Sequence, residues 1–391
     1  MTLQPPQVVA LQGDEAVAEA VRQSDVDVVA AYPITPQTII VEKLAEFVAD
    51  GKFDGEFIPV ESEHSALSAC AGASATGARV FTATSSQGLA YLHEMLYNVS
   101  GMRLPVVMAV ANRALSAPLV LNADHGDMMG SRDSGWIQIY AENVEEIYDR
   151  TIQLFRLSED SEVMLPSAVN FEGFILSHDK ERVRLIEDGP IRRFLKRPRP
   201  RHRLDPADPK TFGAIASPDT YYEFKMQQVA AMDRALQVFS RVEAEFEAIS
   251  GRRYGALDSY NDGAESVVVV NGCAAGTVRT AARELNAAGG DFGVLAVKLY
   301  RPFPVDELVS RLKRAKSVIV MDRSMSFGAP SGPMSEDVKS ALKSAGLNPE
   351  VISVEYGIGG RDLSVEDGKA IFRLRTRDRQ ARGPIMYGVK E

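Results

Sequence analysis

Apolar and polar positions alternate regularly over the first 180 residues. Short apolar runs predict strands, and between them lie longer segments in which apolar residues recur at helical spacing. The predicted strands are 26–31, 57–60, 79–84, 104–111 and 163–170, and the predicted helices are 13–23, 38–49, a run of very small residues ending at Ala78, 89–100 and 142–157. Strands separated by helices at this spacing predict an α/β fold with a doubly wound parallel sheet.

The same rhythm resumes near residue 265, with predicted strands at 266–270, 293–300, 317–321 and 351–355. Between the two α/β regions lies a basic, proline-containing segment, 187–219, which is typical of a linker arm. An amphipathic helix at 222–250 follows it, and we expect that helix to pack between domains. The sequence therefore predicts one domain at 1–186, a linker arm and long helix at 187–264, and a second domain at 265–391.

Charge and cysteine content exclude several classes of protein. The net charge of −9 argues against a nucleic-acid-binding protein, whose affinity needs a basic face. The two cysteines, Cys70 and Cys273, are far apart, so the chain by itself cannot ligate an iron–sulfur cluster or a structural zinc ion. No signal-peptide pattern and no run of 18 apolar residues is present. We therefore expect a cytoplasmic protein with reduced thiols, without a membrane span.

Two acids and a histidine, in the stretch Glu61-Ser62-Glu63-His64, precede the run of small residues. One interpretation is a solvated acidic turn that caps a tightly packed helix. The other is an acid at the mouth of a helix with little side-chain bulk, beneath a flat ligand. Spacing alone leaves both interpretations open.

Further polar residues cluster at the predicted carboxyl ends of strands, where doubly wound sheets bind their ligands. The candidates at or just beyond these ends are Thr35, Glu63, Ser85, Ser86, Gln87 and Arg113. An arginine directly after a buried strand is well placed to hold a carboxylate through two hydrogen bonds, or to form a structural ion pair. A glycine-containing turn, Gly272-x3-Gly276, also follows a strand; we favour a tight turn there over an anion site.

Five ordered segments resemble the alpha subunit of multi-subunit 2-oxoacid:ferredoxin oxidoreductases, the family that includes pyruvate synthase. They are AYPITPQT (31–38), VESEHSA (60–66), TSSQGL (84–89), ANRAL (111–115) and SRDSGW (131–136). In the second half, LYRPFP (299–304), MDRSMSFG (321–328) and GIGGRD (357–362) resemble the same subunit's C-terminal part. The resemblance covers nearly the whole chain. It implies a thiamine-pyrimidine domain followed by a transketolase-C-like α/β domain.

The resemblance implies a specific reaction. Enzymes of this family use thiamine diphosphate to decarboxylate a 2-oxoacid oxidatively, pass electrons through iron–sulfur clusters to ferredoxin, and transfer the acyl group to coenzyme A. Glu63 matches the acid that hydrogen-bonds the aminopyrimidine ring and activates the cofactor. Thr35 and Arg113 match residues that contact the substrate. Ser85, Ser86 and Gln87 match a loop near the cofactor.

The resemblance also implies partner chains. Thiamine enzymes hold the diphosphate through Mg²⁺ bound by a GDG motif with a downstream Asn, and the segments beginning at Gly13, Gly126 and Gly290 all depart from that pattern. We therefore assign no metal site to this chain. We expect Mg²⁺ and the diphosphate site on a beta subunit, and [4Fe-4S] clusters on partner subunits, among them gamma and ferredoxin-like subunits.

The substrate is less specified. A family member that acts on oxalate has an arginine at the position of Thr35, which disfavours oxalate here. Pyruvate is the first expectation, and a branched or aromatic 2-oxoacid such as phenylglyoxylate remains open because the loop 115–129 is partly apolar. The acceptor is ferredoxin or, through an extra subunit, NAD. A non-catalytic scaffold subunit is the alternative class, disfavoured because Thr35, Glu63 and Arg113 are all present.

Overall fold

A computed structural model of the chain describes residues 7–197, 200, 202–375 and 383–390. The remaining residues of the predicted domains and of the basic arm (1–6, 198–199, 201, 376–382 and 391) lie outside the described residues. The helices are α1 Gly13–Gln23, α2 Thr38–Ala49, α3 Glu63–Ala75, α4 Ser86–Tyr91, α5 His93–Gly101, α6 Gly126–Met129, α7 Val144–Ser158, α8 Asp188–Leu195, α9 Pro218–Ser250, α10 Ala274–Ala287, α11 Val305–Leu312, α12 Pro333–Ser344 and α13 Val365–Ile371. The strands are β1 Gln7–Leu11, β2 Val28–Ala31, β3 Glu56–Pro59, β4 Val80–Thr84, β5 Val107–Asn112, β6 Ile137–Tyr140, β7 Ser167–Glu172, β8 Glu181–Leu185, β9 Leu257–Tyr260, β10 Ser266–Val270, β11 Phe292–Val297, β12 Leu299–Arg301, β13 Ser317–Asp322, β14 Glu350–Glu355 and β15 Ile385–Met386.

The first sheet has the strand order β12-β6-β7-β5-β4-β2-β3. All its pairings are parallel except that between β12 and β6. The central strands β4, β5 and β7 are buried along their whole length, as strands covered by helices on both faces must be. The prediction of a parallel, doubly wound α/β fold is therefore confirmed.

The second sheet has the order β15-β14-β13-β10-β11-β9, with β9 antiparallel at one edge. A separate antiparallel pair joins β1 to β8. Strand β9 lies inside the range 187–264, for which the sequence predicts only a linker and a helix. The predicted single strand 293–300 is wrong: it divides at Lys298 into β11 in the second sheet and β12 in the first. The predicted helix 89–100 is likewise divided into α4 and α5 at Leu92.

Lys298 explains why that strand divides. Its ammonium group is buried and donates to Glu142 Oε2 at 2.8 Å and to Glu146 Oε2 at 2.6 Å, both beside the first sheet. Arg279 of α10 reaches the same Glu142 at 2.6 Å. Charges buried at this depth must be paired, so these contacts fix where the chain crosses from one sheet to the other.

The long helix α9 packs mainly on α5 and α7 of the first domain and on α8, rather than between domains. Its C-terminal half is held by a buried ion pair, in which Arg150 of α7 donates to Glu243 of α9 at 2.5 Å. Arg150 also donates to the carbonyl of Gly255, just beyond α9, at 2.8 Å. The N-terminal half is more open, with Tyr222, Phe224 and Val229 exposed. In the described part of the chain no helix is long and apolar enough to cross a membrane.

Candidate active site

Four neighbouring strands of the first sheet, in the order β5-β4-β2-β3, end at one edge and carry all six candidate residues on the segments that follow them. Thr35 follows β2, Glu63 follows β3, the Ser85–Gln87 segment follows β4, and Arg113 follows β5. Residues distant in sequence therefore meet because parallel strands place their carboxyl ends side by side.

Glu63 is the first residue of α3, and its side chain is buried, with the residue 7% exposed. Ser62 caps the helix by accepting a hydrogen bond from the backbone N–H of Ser65 at 3.1 Å. None of the described residues hydrogen-bonds to the Glu63 carboxylate, which lies at the positive end of the helix dipole. Glu61, by contrast, is solvent-accessible and accepts from Ser65 Oγ at 2.5 Å. The structure thus separates a solvated acid, Glu61, from a buried one, Glu63.

The small residues of α3 have a packing role. Ala66, Leu67, Cys70 and Ala71 are buried where the helix lies against β2 and β4. The Cys70 thiol lies 3.4 Å from the carbonyl oxygen of Phe81, so the helix and the sheet approach closely. Little side-chain bulk on this face lets Glu63 sit near the strand ends.

The Glu63 side chain packs against Gly88 of α4. A Cβ at position 88 would lie 2.6 Å from Glu63 Oε1 and 2.6 Å from Thr84 Oγ1, closer than real Cβ atoms come to other atoms. The side chain of Glu63 therefore packs directly on a glycine backbone. Any larger residue at position 88 would displace the carboxylate.

Arg113 is buried, and its guanidinium group bridges two of the other candidate segments. Nη1 donates to the backbone carbonyl of Thr35 at 2.6 Å, and Nη2 donates to Gln87 Oε1 at 2.8 Å. None of the described residues accepts from Nε. Burial lowers the pKa of Arg113, and the negative charges of Asp127 and Glu63 partly oppose that shift. A guanidinium held in this way can bind a carboxylate.

Thr35 is exposed at the mouth of this site, on the turn after β2. Gln37 anchors the turn, because its side-chain amide donates to the carbonyls of Tyr32 and Ala83, each at 2.9 Å. The structure thus brings Thr35 and Arg113 together, and their contact with a substrate stays a prediction.

The Ser85–Gln87 segment supports Arg113. Ser86 has a backbone φ of 48°, and its Oγ lies 2.7 Å from the carbonyl of Ala114 and 2.6 Å from Gln87 Oε1. Ser85 is fully buried. Gln87 accepts a hydrogen bond from the guanidinium of Arg113, so its observed contact is with another candidate residue. The expected cofactor contacts of Ser85, Ser86 and Gln87 remain a prediction.

Asp127 is a residue of this site that sequence reasoning missed. In the sequence, Asp127 stands out only because the segment beginning at Gly126 departs from the Mg²⁺-binding GDG motif. In the structure, its buried carboxylate accepts hydrogen bonds from the backbone N–H groups of Ser86 and Arg113. The one available signal was its position in a long, polar loop, since such loops are uncommon without a functional reason.

The second sheet has its own carboxyl edge, which faces the first domain. Gly272, with φ of 69°, lies against Glu172 Oε1, where any Cβ would overlap. Glu172 also accepts from the backbone N–H of Cys273 at 3.0 Å and lies 3.1 Å from His125 Nε2. The turn that starts at Gly272 is therefore tight, as favoured from the sequence, and the anion beside it is the protein's own carboxylate.

Within the described residues, no group of three or more His, Cys, Asp or Glu side chains is arranged to hold a metal ion. Cys70 and Cys273 are unpaired. The carboxyl edge of the first sheet carries two buried charged groups. The Glu63 carboxylate can bind a hydrogen-bond donor of a flat ring, and the Arg113 guanidinium can bind a carboxylate.

Comparison with known families assigns both halves of the chain. Residues 19–244 match the family described as pyruvate flavodoxin/ferredoxin oxidoreductase, thiamine diphosphate-binding. Residues 264–368 match the core domain II of pyruvate:ferredoxin oxidoreductase. All six candidate residues fall in the first matched range.

Relatives match over nearly their full length. The chain is 47% identical to pyruvate synthase subunit PorA of Methanocaldococcus jannaschii over 98% of this chain and 99% of that protein. It is 48% identical to the Thermotoga maritima protein of the same name over 93% of each. Ketoisovalerate oxidoreductase subunit VorA of Pyrococcus abyssi is 44% identical over 92% of this chain and 91% of that protein.

Solved structures share the fold. A 2-oxoglutarate:ferredoxin oxidoreductase from Magnetococcus marinus aligns over 94% of this chain with a TM-score of 0.72 and 19% identity, and the chain spans 65% of that protein's length. A split-gene transketolase aligns over 93% of this chain with a TM-score of 0.55 and 14% identity. The matched families, the relatives and the fold agree with the resemblance seen in the sequence. The chain therefore belongs to the pyruvate flavodoxin/ferredoxin oxidoreductase family, as its alpha-type, thiamine-diphosphate-binding subunit.

Proposed function

We propose that this chain is the alpha subunit of an oxidoreductase that converts pyruvate, coenzyme A and two oxidised ferredoxins into acetyl-CoA, CO₂, a proton and two reduced ferredoxins. The observation that carries this proposal is the convergence of Glu63, Arg113 and Thr35 at one sheet edge, in a chain 47% identical over nearly its full length to a pyruvate synthase subunit. Each residue supplies a group that this chemistry requires.

Thiamine diphosphate, when bound, supplies the electron sink for decarboxylation. Glu63 fits the pyrimidine half of that cofactor, because its carboxylate is buried, faces no hydrogen-bond donor among the described residues, and is kept in place by close packing on Gly88. In this proposal Glu63 holds the ring nitrogen and a proton, Arg113 binds the 2-oxoacid carboxylate, and Thr35 contacts its oxo group.

A beta subunit completes the site in this proposal by supplying the diphosphate and Mg²⁺ contacts. An exposed apolar rim supports such an interface, since soluble monomers rarely leave large apolar surfaces open. The rim residues and their exposures are Tyr32 37%, Ile58 38%, Tyr91 61%, Leu115 40%, Leu119 69% and Leu121 43%. The gamma and ferredoxin-like subunits would carry the [4Fe-4S] clusters, because the two cysteines here are too few. Unpaired cysteines also support a cytoplasmic complex.

The alternative substrate is a branched 2-oxoacid, because a relative at 44% identity is named ketoisovalerate oxidoreductase subunit. The apolar side chains of Leu115, Leu119 and Leu121 would accommodate a larger acyl group. The same apolar side chains would also accommodate phenylglyoxylate, which is the third candidate substrate, with NAD as the final electron acceptor. The non-catalytic scaffold alternative requires that Glu63 and Arg113 have no role.

The test is to purify the complex that contains this chain and to determine its native mass and iron content. Ferredoxin reduction is then measured with pyruvate, 2-oxoisovalerate and phenylglyoxylate, each with coenzyme A. We expect the largest kcat/KM with pyruvate and no turnover by the chain alone. Turnover by the isolated 42.6 kDa chain, or full activity of a complex lacking it, would contradict the proposal.

A further inference from the structure

The carboxylate of Asp127 collects four N–H donors from three separate segments. Oδ1 accepts from Asn112 Nδ2 at 2.8 Å and from the backbone N–H of Met128 at 2.8 Å. Oδ2 accepts from the backbone N–H of Ser86 at 3.0 Å and from that of Arg113 at 3.1 Å. The residue is 3% exposed, so water does not substitute for these contacts.

The two donors to Oδ2 belong to the two segments that build the substrate side of the site. One segment is the start of α4, with Ser86 and Gln87, and the other is the loop that follows β5 and carries the Arg113 guanidinium. Asp127 therefore bridges these two segments and sets the distance between them. The position of Asp127 is itself fixed, because it belongs to a segment that is hydrogen-bonded to the second domain.

That tie involves the two residues just before α6. The backbone N–H of His125 donates to the carbonyl of Arg323 at 2.8 Å. The backbone N–H of Gly359 donates to Asp124 Oδ2 at 3.1 Å. Asp127 thus connects residues that are hydrogen-bonded to the second domain with the start of α4 and the loop that carries Arg113.

We propose that Asp127 is a positioning residue for 2-oxoacid binding, which acts by fixing the backbone of Arg113 and Ser86 so that the guanidinium stays between Thr35 and Gln87 and faces the substrate carboxylate. This role rests on the proposed function. It requires an acid at position 127, because only a carboxylate can accept four N–H groups. An asparagine would direct its own NH₂ group against two of them, leaving buried donors without an acceptor.

The test compares Asp127→Asn with Asp322→Asn in the purified complex. Asp322 is the matched control: it is a buried carboxylate that accepts from the backbone N–H groups of Met334 at 2.7 Å and Ser335 at 3.1 Å, but it lies in the second domain. Both variants lose comparable buried hydrogen bonds. The readouts are the KM for the 2-oxoacid, the KM for coenzyme A, the thermal midpoint, and the affinity for oxamate, an unreactive isostere of pyruvate.

We expect Asp127→Asn to raise the KM for the 2-oxoacid at least tenfold, to weaken oxamate binding by a similar factor, and to leave the KM for coenzyme A within twofold. Asp322→Asn should lower the thermal midpoint and leave oxamate affinity within twofold. If Asp127→Asn fails to assemble, Asn112→Ala removes one of the four donors and should raise the 2-oxoacid KM three- to tenfold.

Unchanged oxamate affinity in Asp127→Asn, or in Asn112→Ala where that variant is used, would overturn the positioning role. Equal rises in the KM for the 2-oxoacid and for coenzyme A would overturn it too, since they would indicate general damage. A wild-type complex that binds neither 2-oxoacid nor oxamate would instead overturn the proposed function, so the two failures are distinguishable.

Discussion

The two parallel sheets of this chain end in edges of the same architecture but of opposite character. At the first edge, Glu63 faces no donor among the described residues and the rim around it is exposed and apolar. At the second edge, the turn at Gly272–Cys273 is closed by Glu172 and His125 of the first domain. Doubly wound sheets bind ligands at such edges. Here one edge is left open, and the other is filled by the protein itself.

A turn at the end of a strand can bind a ligand only when no group of the protein already occupies its hydrogen-bonding groups. The backbone N–H of Cys273 could serve an anion, but a buried carboxylate already occupies that place. Burial alone would raise the pKa of Glu172, yet hydrogen bonding to His125 and to the Cys273 N–H and the charge of Arg323 hold it at about 2. The second edge therefore stabilises the contact between domains, and the proposed chemistry belongs to the first edge.

The largest effect is expected for Glu63→Gln at the open edge. The amide keeps the size of the side chain but cannot exchange a proton, and such proton-transfer groups typically contribute about 10²–10⁴-fold to rate. Turnover of the 2-oxoacid in the complex should therefore fall by at least about a hundredfold. Subunit composition and thermal midpoint should stay unchanged.

Glu61→Gln is the matched control for this prediction, because Glu61 is solvent-accessible and bonded to Ser65. Its activity should remain within about twofold of wild type, in line with the small effects of surface substitutions. Near-normal turnover in Glu63→Gln would show that Glu63 does not activate the cofactor.

A smaller loss is expected for Gly88→Ala. The added Cβ would lie 2.6 Å from Glu63 Oε1, so the carboxylate must move. Displacements of about 1 Å at reacting groups can cost roughly 10²-fold, and we expect a loss of roughly ten- to a hundredfold in kcat. Steady-state kinetics of the complex would measure it.

Gly72→Ala controls for the same change inside a nearby helix. Position 72 is exposed in α3, and a Cβ added there would meet no atom within 4 Å outside the adjacent backbone of its own helix. Activity should be unchanged, and stability should rise by about 0.5–1 kcal/mol, as for other glycines replaced in helix interiors. Equal losses in both variants would argue against a specific contact between Gly88 and Glu63.

The smallest effect on turnover is expected at the closed edge, for Glu172→Gln. Because the pKa of Glu172 is lowered, its carboxylate stabilises the fold above pH 4.5, and that contribution is lost as the pH falls towards 2. The variant should lose roughly 2–4 kcal/mol near neutral pH, since one pKa unit corresponds to about 1.4 kcal/mol. It should also show a flatter loss of stability in acid.

Thermal scans at several pH values, with hydrogen exchange at β7 and β10, would measure this loss. Glu265→Gln is the control, because the Glu265–Lys316 ion pair is solvent-exposed and should contribute about 0–1 kcal/mol. A loss of kcat in Glu172→Gln as large as that in Gly88→Ala would contradict the contrast between the two edges.

Much of this comparison could be predicted from local sequence. The bounds 13–23 and 38–49 of α1 and α2 agree with the periodicity, because an amphipathic helix repeats every 3.6 residues whatever surrounds it. The six candidate residues share one edge because parallel strands align their carboxyl ends. Their roles in catalysis, and the domain boundaries near 186 and 264, stay predictions.

Other features depended on partners far away in the chain. The run 293–300 has the pattern of one strand, yet Lys298 turns towards Glu142 and Glu146, more than 150 residues earlier. Asp127 owes its role to donors in two distant segments, Ser86 and 112–113, which no local pattern connects to it.

The sequence by itself determined the α/β rhythm, the family and the residues at the open edge, because periodicity, strand ends and short motifs are local properties. The tertiary structure decided which edge stays open, which of two neighbouring acids is buried, and which carboxylate fixes the arginine. These outcomes depend on burial and on hydrogen-bond partners, and both are properties of the folded chain rather than of any segment.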